Sequence, residues 1–537
     1  MSNNDNLKLR KQSQTKATKS LAVSTIFMII GLILSKGSGF LREVLISRKF
    51  DTTYCDAITV GFQFPDFFFA LLVGGSIQSA ITPTLSRSIE NHTSEKVWKG
   101  VNVFITLMSV CLLVVVILGE LFSNAIYEVF NQGDDPEMIR LGANLARTLY
   151  FQIFFMMLAA LCIGILNAYK KFGSTAFGPT IYNVCVLLSI GILGASNEKS
   201  LYMTGLGIMA SALIYFLFQL YMGRKEVRHF RPSLDIKNPE FRKLFRIAVP
   251  VLISASIVQL NMVILKSFAT RFDKGSVFAL RNAETLWQLP YGIFAVGIGT
   301  VMLPSLAEHF AAKRFKDASK LLSSSIKNAL FLVLPCTGIF LVLRLDVVKA
   351  AFKWSETYSD DRAKLAAIFL VGYCSAIITQ SVIFIINQAF YAIGQTRFPL
   401  FAGIISMIVN FMSCYILVEL GCGPISLSIA YSLACLVRLI LLALVYCRNK
   451  KLAPRRMRPF IVKSVICFLI MIGGLYLINL IPYTPDRKIF QLVWLMVRAV
   501  FGFGVYFTIA FVLKMEELKT VSDRYLSRFF KRRKAKV

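Results

Sequence analysis

The chain has 537 residues, is 56% hydrophobic, and still carries 60 Lys and Arg against 29 Asp and Glu, a formal net charge of +31. A mean hydropathy of +0.63 excludes a water-soluble globular protein, and a nucleic-acid binder would not devote its length to apolar runs. Membrane proteins collect Lys and Arg in their cytoplasmic loops, so the composition reads as an all-α polytopic membrane protein with asymmetric charge.

In chain order, apolar stretches of about 20 residues, enough to cross a bilayer, predict fourteen transmembrane helices. A basic tail (1–19) comes first. The spans are then 20–48, 56–88, 98–128, 140–168, 174–194, 201–222, 243–269, 276–309, 318–344, 363–391, 397–420, 424–447, 459–481 and 488–513. The apolar run beginning at Leu21 continues into a full span, so no cleavable leader is expected. Several spans exceed the crossing length, which predicts tilt.

The loops test the count. Segment 224–246 holds eight Lys or Arg against three acids, and 448–463 holds seven and no acid. Both follow even-numbered helices. Segment 128–140, after the third, has four acids and one Arg. A cytoplasmic amino terminus accounts for all three loops, and an even total places the basic tail 514–537 on the same side. That tail, from Leu526 to Lys536, reads as an amphipathic end lying on anionic membrane lipid.

The first helix carries the most informative pattern. Its apolar run ends in Ser35-Lys36-Gly37-Ser38-Gly39-Phe40-Leu41-Arg42-Glu43. A cation at membrane depth costs about 2.5–3.5 kcal/mol on insertion scales, so Lys36 and Arg42 should face a wet cavity or a partner such as Glu43 or Asp56. The glycines loosen the helix at that charge, as where backbone lines a cavity. Asp56 and Asp66 are candidates for coupling, or alternatively for helix N-caps. The Phe-rich run 62–69 is expected to pack against lipid or other helices. Eleven cysteines, mostly within apolar helices, show no metal spacing and read as small hydrophobes. His92, His229 and His309 fall in or near predicted cytoplasmic loops, so no metal, cofactor or catalytic cluster is expected. Gln259, Asn261, Gln380, Asn387 and Gln388 are equally well read as bonds between helices or as substrate contacts.

The chain also repeats itself. Ala168-Tyr169-Lys170-Lys171-Phe172-Gly173 matches Ala389-Phe390-Tyr391-Ala392-Ile393-Gly394, and Pro83-Thr84-Leu85-Ser86 matches Pro304-Ser305-Leu306-Ala307, both at an offset of 221. Equivalent helices lie six apart and run the same way. This predicts two pseudo-symmetric six-helix lobes (20–222 and 243–447), joined by a basic linker (223–242), with helices 13 and 14 appended (459–513). Such repeats are a transporter architecture.

These residues carry a family resemblance. Gly39-Phe40-Leu41-Arg42-Glu43, Cys55-Asp56-Ala57, Phe64-Pro65-Asp66, Gly75-Ser76 and Pro83 resemble the start of MurJ (MviN) proteins. Leu289-Pro290-Tyr291-Gly292-Ile293-Phe294, Gly297-Ile298-Gly299-Thr300 and Leu303-Pro304-Ser305-Leu306 continue the likeness. These are lipid II flippases of the multidrug/oligosaccharidyl-lipid/polysaccharide exporter superfamily, and the helix count agrees.

The resemblance implies transport of an undecaprenyl-diphosphate-linked peptidoglycan precursor from the inner to the outer leaflet of the bacterial cytoplasmic membrane. It implies alternating access through an arginine-lined central cavity, with helices 13 and 14 as a groove for the lipid tail. No covalent chemistry is needed, so an enzyme is not expected. Cell-wall synthesis proteins are conceivable partners, and nucleic acid is not.

The carry-over is partial. Arg42 matches the family's helix-one Arg, Lys36 replaces another, and Asp56 matches the acid opening helix two. The helix-two Arg pair falls at Phe69 and Ala70. The helix-eight Arg falls at Thr285, with Arg281 one turn earlier on the same face and Glu284 beside it. Where some members bind sodium, the helix-seven Asp falls at Leu265, next to Lys266. Asn410 matches in helix eleven, but the acid one turn on is Cys414. A sodium site of the oxygen-rich kind is therefore not expected, and Lys266 could act as a tethered cation. Competing readings are export of another polyprenyl-diphosphate glycan, whose headgroup could relax the helix-two pattern, and a non-transporting envelope scaffold. A drug antiporter is disfavoured, since Lys36, Arg42 and Arg281 would repel cationic drugs.

Overall fold

The computed structural model describes residues 31, 34–73, 76–90, 93–131, 136–448, 457–481, 483 and 487–518. The amino-terminal basic tail, the carboxyl-terminal tail beyond 518 with its amphipathic end 526–536, residues 20–30, 32 and 33 of the first predicted span, His92 and the loop 449–456 lie outside them.

Helix α1 covers 34–49. The second predicted span is three short helices, α2 (Thr52–Gly61), α3 (Gln63–Val73) and α4 (Ser76–Glu90). Then follow α5 (Ser94–Phe130), α6 (Pro136–Ala168), α7 (Phe172–Leu193), α8 (Glu198–Met222), the one-turn α9 (Arg224–Val227) and α10 (Pro239–Ala269). The eighth span is α11 (Ser276–Pro290), a π-helical segment (Tyr291–Val296) and α12 (Gly297–Ala311). The remainder is α13 (Phe315–Val342), α14 (Arg344–Phe352), α15 (Asp360–Ala392), α16 (Arg397–Glu419), α17 (Ile425–Arg448), α18 (Met457–Asn479) and α19 (Lys488–Val512). Among the described residues there is no strand, and eleven helices are long and apolar enough to cross a membrane. The first, second and seventh predicted spans are not among those eleven.

The chain divides into two compact units, Met1–Phe130 with Asp134–Gln259, and Asn131–Gly133 with Leu260–Val537. The boundary falls within α10, beyond the basic linker read from the sequence.

Each unit is organised around its fourth span. In the first, α6 packs against α2, α3, α4, α5 and α8, and α7 lies against α8. In the second, α15 packs against α11, α12, α13, α14 and α17, and α16 lies against α17. The predicted repeat thus shows in the packing. It also shows in the element ends: α4 and α12 are both 15 residues with an internal proline, Pro83 or Pro304, and begin 221 residues apart. The copies also differ in where their helices break. α5 is a single helix of 37 residues, whereas the equivalent stretch of the second unit breaks at Leu343 into α13 and α14. The appended α18 and α19 pack on each other, on α13 and, through α19, on α14.

Apolar surface drives helices together weakly in lipid, so small residues and side-chain hydrogen bonds take over. In the first unit the Tyr127 hydroxyl donates to the Gly61 carbonyl at 3.0 Å, and the Thr82 hydroxyl to the Gly164 carbonyl at 2.9 Å. In the second, the Ser432 hydroxyl donates to the Gly372 carbonyl at 2.6 Å. A Cβ at Gly372 would stand 2.7 Å from that of Ser428, so only glycine lets α15 and α17 meet there. Of the predicted Phe run, Phe62 and Phe64 are buried, and Phe64 meets Tyr127 edge-on at 5.1 Å. The ten described cysteines are free thiols.

Candidate functional site

In the first unit the candidate charges sit on α1, α2 and α3. Lys36 is exposed and Arg42 half-buried. Arg42 lies against Glu43, with Nη2 at 3.0 Å and Nε at 3.2 Å from Glu43 Oε1. Of the alternatives for this cation, the structure shows the pair with Glu43, whose residue is only 2% exposed. A guanidinium with one edge on a buried carboxylate is held in a fixed orientation, and its remaining N–H groups can serve a second anion. Asp56 is 1% exposed on α2. It does not cap that helix: Asp51 does, its carboxylate accepting from the Tyr54 N–H at 3.2 Å. Asp66 is exposed in the first turn of α3, where a negative charge complements the helix dipole. Phe69 is half-buried and Ala70 buried, so the family's helix-two cation positions are apolar here.

In the second unit Arg281, Glu284, Thr285 and Gln288 form a polar stripe along one face of α11. The Thr285 hydroxyl donates to the Arg281 carbonyl at 2.9 Å, and Gln288 Nε2 donates to Glu284 Oε1 at 2.8 Å. Arg281 and Glu284 are both half-buried. The stripe ends at Pro290, where the chain widens into the π segment, a form that recurs at functional sites.

Lys266 is half-buried in the last turn of α10. Asn410 is fully buried, and its Nδ2 donates to Asn261 Oδ1 at 3.0 Å. Cys414 Sγ lies 3.8 Å from Asn410 Oδ1, and Leu265 is 1% exposed. The positions to which the resemblance carries a sodium site hold an amide pair, a thiol and an apolar side chain. Among the described residues no cluster of three His, Cys, Asp or Glu could hold a metal ion. Gln380 joins helices, donating to the Tyr431 hydroxyl at 2.9 Å.

Motif matching overlooks three groups. Arg147 lies on α6 at the end of a polar ladder: Arg140 on Glu198 (2.8 Å), Tyr202 to Glu198 (3.1 Å), Asn144 to Tyr202 (3.3 Å) and Arg147 to Asn144 (3.0 Å). Arg438 lies midway along α17, one turn after Cys435. The Nε atoms of Arg147 and Arg438 are buried without a hydrogen-bond partner, and neither residue has an ion pair among the described residues. Glu120 on α5 likewise buries a carboxylate oxygen without a partner. The signal that finds all three is simple: a lone ionisable residue inside an apolar run.

The family model for the lipid II flippase MurJ matches residues 49–507. The chain belongs to the MurJ family. Relatives include the probable lipid II flippase MurJ of Rickettsia prowazekii, 24% identical over 508 residues, covering 92% of this chain and 97% of that protein. The lipid II flippase MurJ of Burkholderia cenocepacia is 26% identical over 422 residues, covering 76% and 80%. Among solved structures, lipid II flippase MurJ in an inward-closed conformation aligns with a TM-score of 0.76 at 23% identity, over 91% of this chain and 98% of that one. An inward-facing multidrug MATE transporter of the MOP superfamily aligns at 0.67 with 15% identity, over 79% and 98%. These last two establish the fold: this MurJ-family chain is a multi-pass helical membrane protein.

Proposed function

We propose that this protein flips lipid II from the inner to the outer leaflet of the bacterial cytoplasmic membrane by alternating access, with both termini cytoplasmic. The observation that carries the reading is the family match across residues 49–507. Lys36, Arg42 and Arg281 are assigned to the diphosphate. A diphosphate cannot cross hydrocarbon unaided, and a guanidinium holds phosphate oxygens two at a time. Glu43 supports the assignment by holding Arg42 in one orientation. Arg147 and Arg438 are further cations for the same headgroup, in place of those absent at Phe69, Ala70 and Thr285. The polyprenyl tail stays in lipid while the headgroup moves, and only non-covalent contacts break and re-form, so the protein acts as a transporter and not an enzyme. Asp56, Glu284, Lys266 and Asn410 are assigned to the polar lining or to coupling.

The test is complementation of a conditional lipid II flippase depletion strain by wild type, Arg42→Ala and Arg281→Ala. Rescue by wild type, lost in both variants at equal expression, is expected. Failure of a well-inserted wild type overturns the lipid II assignment in favour of another polyprenyl-linked glycan.

A further inference from the structure

The break at Leu343 places a cluster of ammonium groups on the second unit. Lys349 of α14 and Lys353, which follows that helix, both reach Asp360 at the start of α15, each at 2.7 Å. One carboxylate therefore serves two cations. Lys488, the first residue of α19, donates its Nζ to the Lys349 carbonyl and lies 5.4 Å from the Trp354 ring centroid. Among the described residues, the neighbouring acids are engaged elsewhere: Asp346 with Arg498 at 2.9 Å, and Asp361 with Lys364 at 3.0 Å. Glu356 lies in the connecting turn. Among the described residues, Asp360 compensates Lys349 and Lys353 together and Lys488 beside them has no carboxylate of its own, so positive charge is left over, which is unfavourable unless an anion joins it.

We infer that Lys349, Lys353 and Lys488 bind the phosphate of an anionic lipid headgroup in the outer leaflet. The leaflet rests on the topology proposed above; the phosphate chemistry does not. Three features support a lipid over a free ion. Loops on the outer side of a membrane are ordinarily poor in Lys and Arg, so a cluster there needs a local reason. Trp354 is 46% exposed beside the ammonium groups, and exposed tryptophans mark the headgroup level. Directly after Lys488, the side chains of Ile489 and Phe490 are exposed at 72% and 50%, a surface for the chains of the same lipid. Lysines suit a phosphodiester as point charges; side-chain exposures of 31% for Lys349 and 27% for Lys353, with Lys488 half-buried, leave them accessible from one side.

The experiment is native mass spectrometry of the full chain in detergent, titrated with phosphatidylglycerol, with phosphatidylcholine of the same chains, and with inorganic phosphate as competitor. Wild type should prefer phosphatidylglycerol, and K349Q/K353Q/K488Q should lose at least about tenfold in apparent affinity, one decade being 1.4 kcal/mol. The triple Arg variant should retain the affinity, which keeps the test decisive if the Gln variant fails to fold. K225Q/R231Q/K237Q, which makes the same charge change on the 224–246 loop, should bind as wild type. Equal loss in that control, equal binding of the two lipids, or no loss in the first variant overturns the proposal. Displacement by millimolar phosphate assigns the site to a free anion and overturns the lipid. Separately, Glu356→Cys should be labelled by a membrane-impermeant maleimide in intact cells above the parent chain. Labelling only after permeabilisation overturns the leaflet and leaves the detergent result to judge the site.

Discussion

At the scale of single residues, the buried Asn261–Asn410 pair makes a sharp prediction. Membrane helices gain about 0.6–1.7 kcal/mol from such bonds, so Asn410→Ala should lower the thermal unfolding midpoint in detergent. The double variant with Asn261→Ala should lose less than the sum of the singles, because removing both partners leaves fewer orphaned polar atoms. Sodium should not shift that midpoint in wild type; a sodium-dependent gain abolished by Asn410→Ala would show that an ion does bind there. Arg438→Gln tests the cations that motif matching missed. It should reduce complementation while leaving membrane insertion intact, and unchanged rescue would return Arg438 to a purely structural place. These residues mark the limit of what was legible. Arg42, Asp56 and Arg281 could be read from family motifs, whereas Arg147 and Arg438 stand out in the sequence only as lone cations inside apolar runs, and their settings depend on neighbours distant in sequence. The pairing of Arg42 with Glu43 was only one of several partners that the sequence allowed.

At the scale of elements, the eighth span carries its polar stripe on α11 and then changes winding over Tyr291–Val296. A π segment accommodates an extra residue in the helical ladder. Deleting Ile293, which is exposed, should restore α-helical winding and rotate α12 relative to α11; complementation should fail although the protein still inserts. Gly372→Ala should destabilise the α15–α17 contact by about 1–3 kcal/mol, the usual cost of overpacking, measured as a lower unfolding midpoint. The spans themselves were legible because length and apolarity define them: from the third onward, predicted ends fall within four residues of the helices. The π segment left no trace in composition, since a shift in hydrogen-bond partner needs no change of residue type. Nor did the end of α13, where Leu343 is neither Gly nor Pro.

At the scale of the whole molecule, the 221-residue offset is the deepest feature that sequence alone revealed, and it reappears in which helices each unit packs together. The orientation of the chain remains a proposal with a direct check. Cysteine placed at Asp235, in the basic loop, should resist an impermeant label in intact cells, while one at Glu137 should react. Reversed reactivity would invert every assignment of side.

One departure from the repeat, the helix that runs unbroken in one unit and ends at Leu343 in the other, bears on how such a chain can grow. Two identical halves would offer an added hairpin two equivalent landing places. Among the described residues the broken copy supplies one: α14 presents Asp346 to Arg498 on α19. Duplication made the halves alike; an interruption at one residue helped to tell them apart and gave the carboxyl-terminal pair its address.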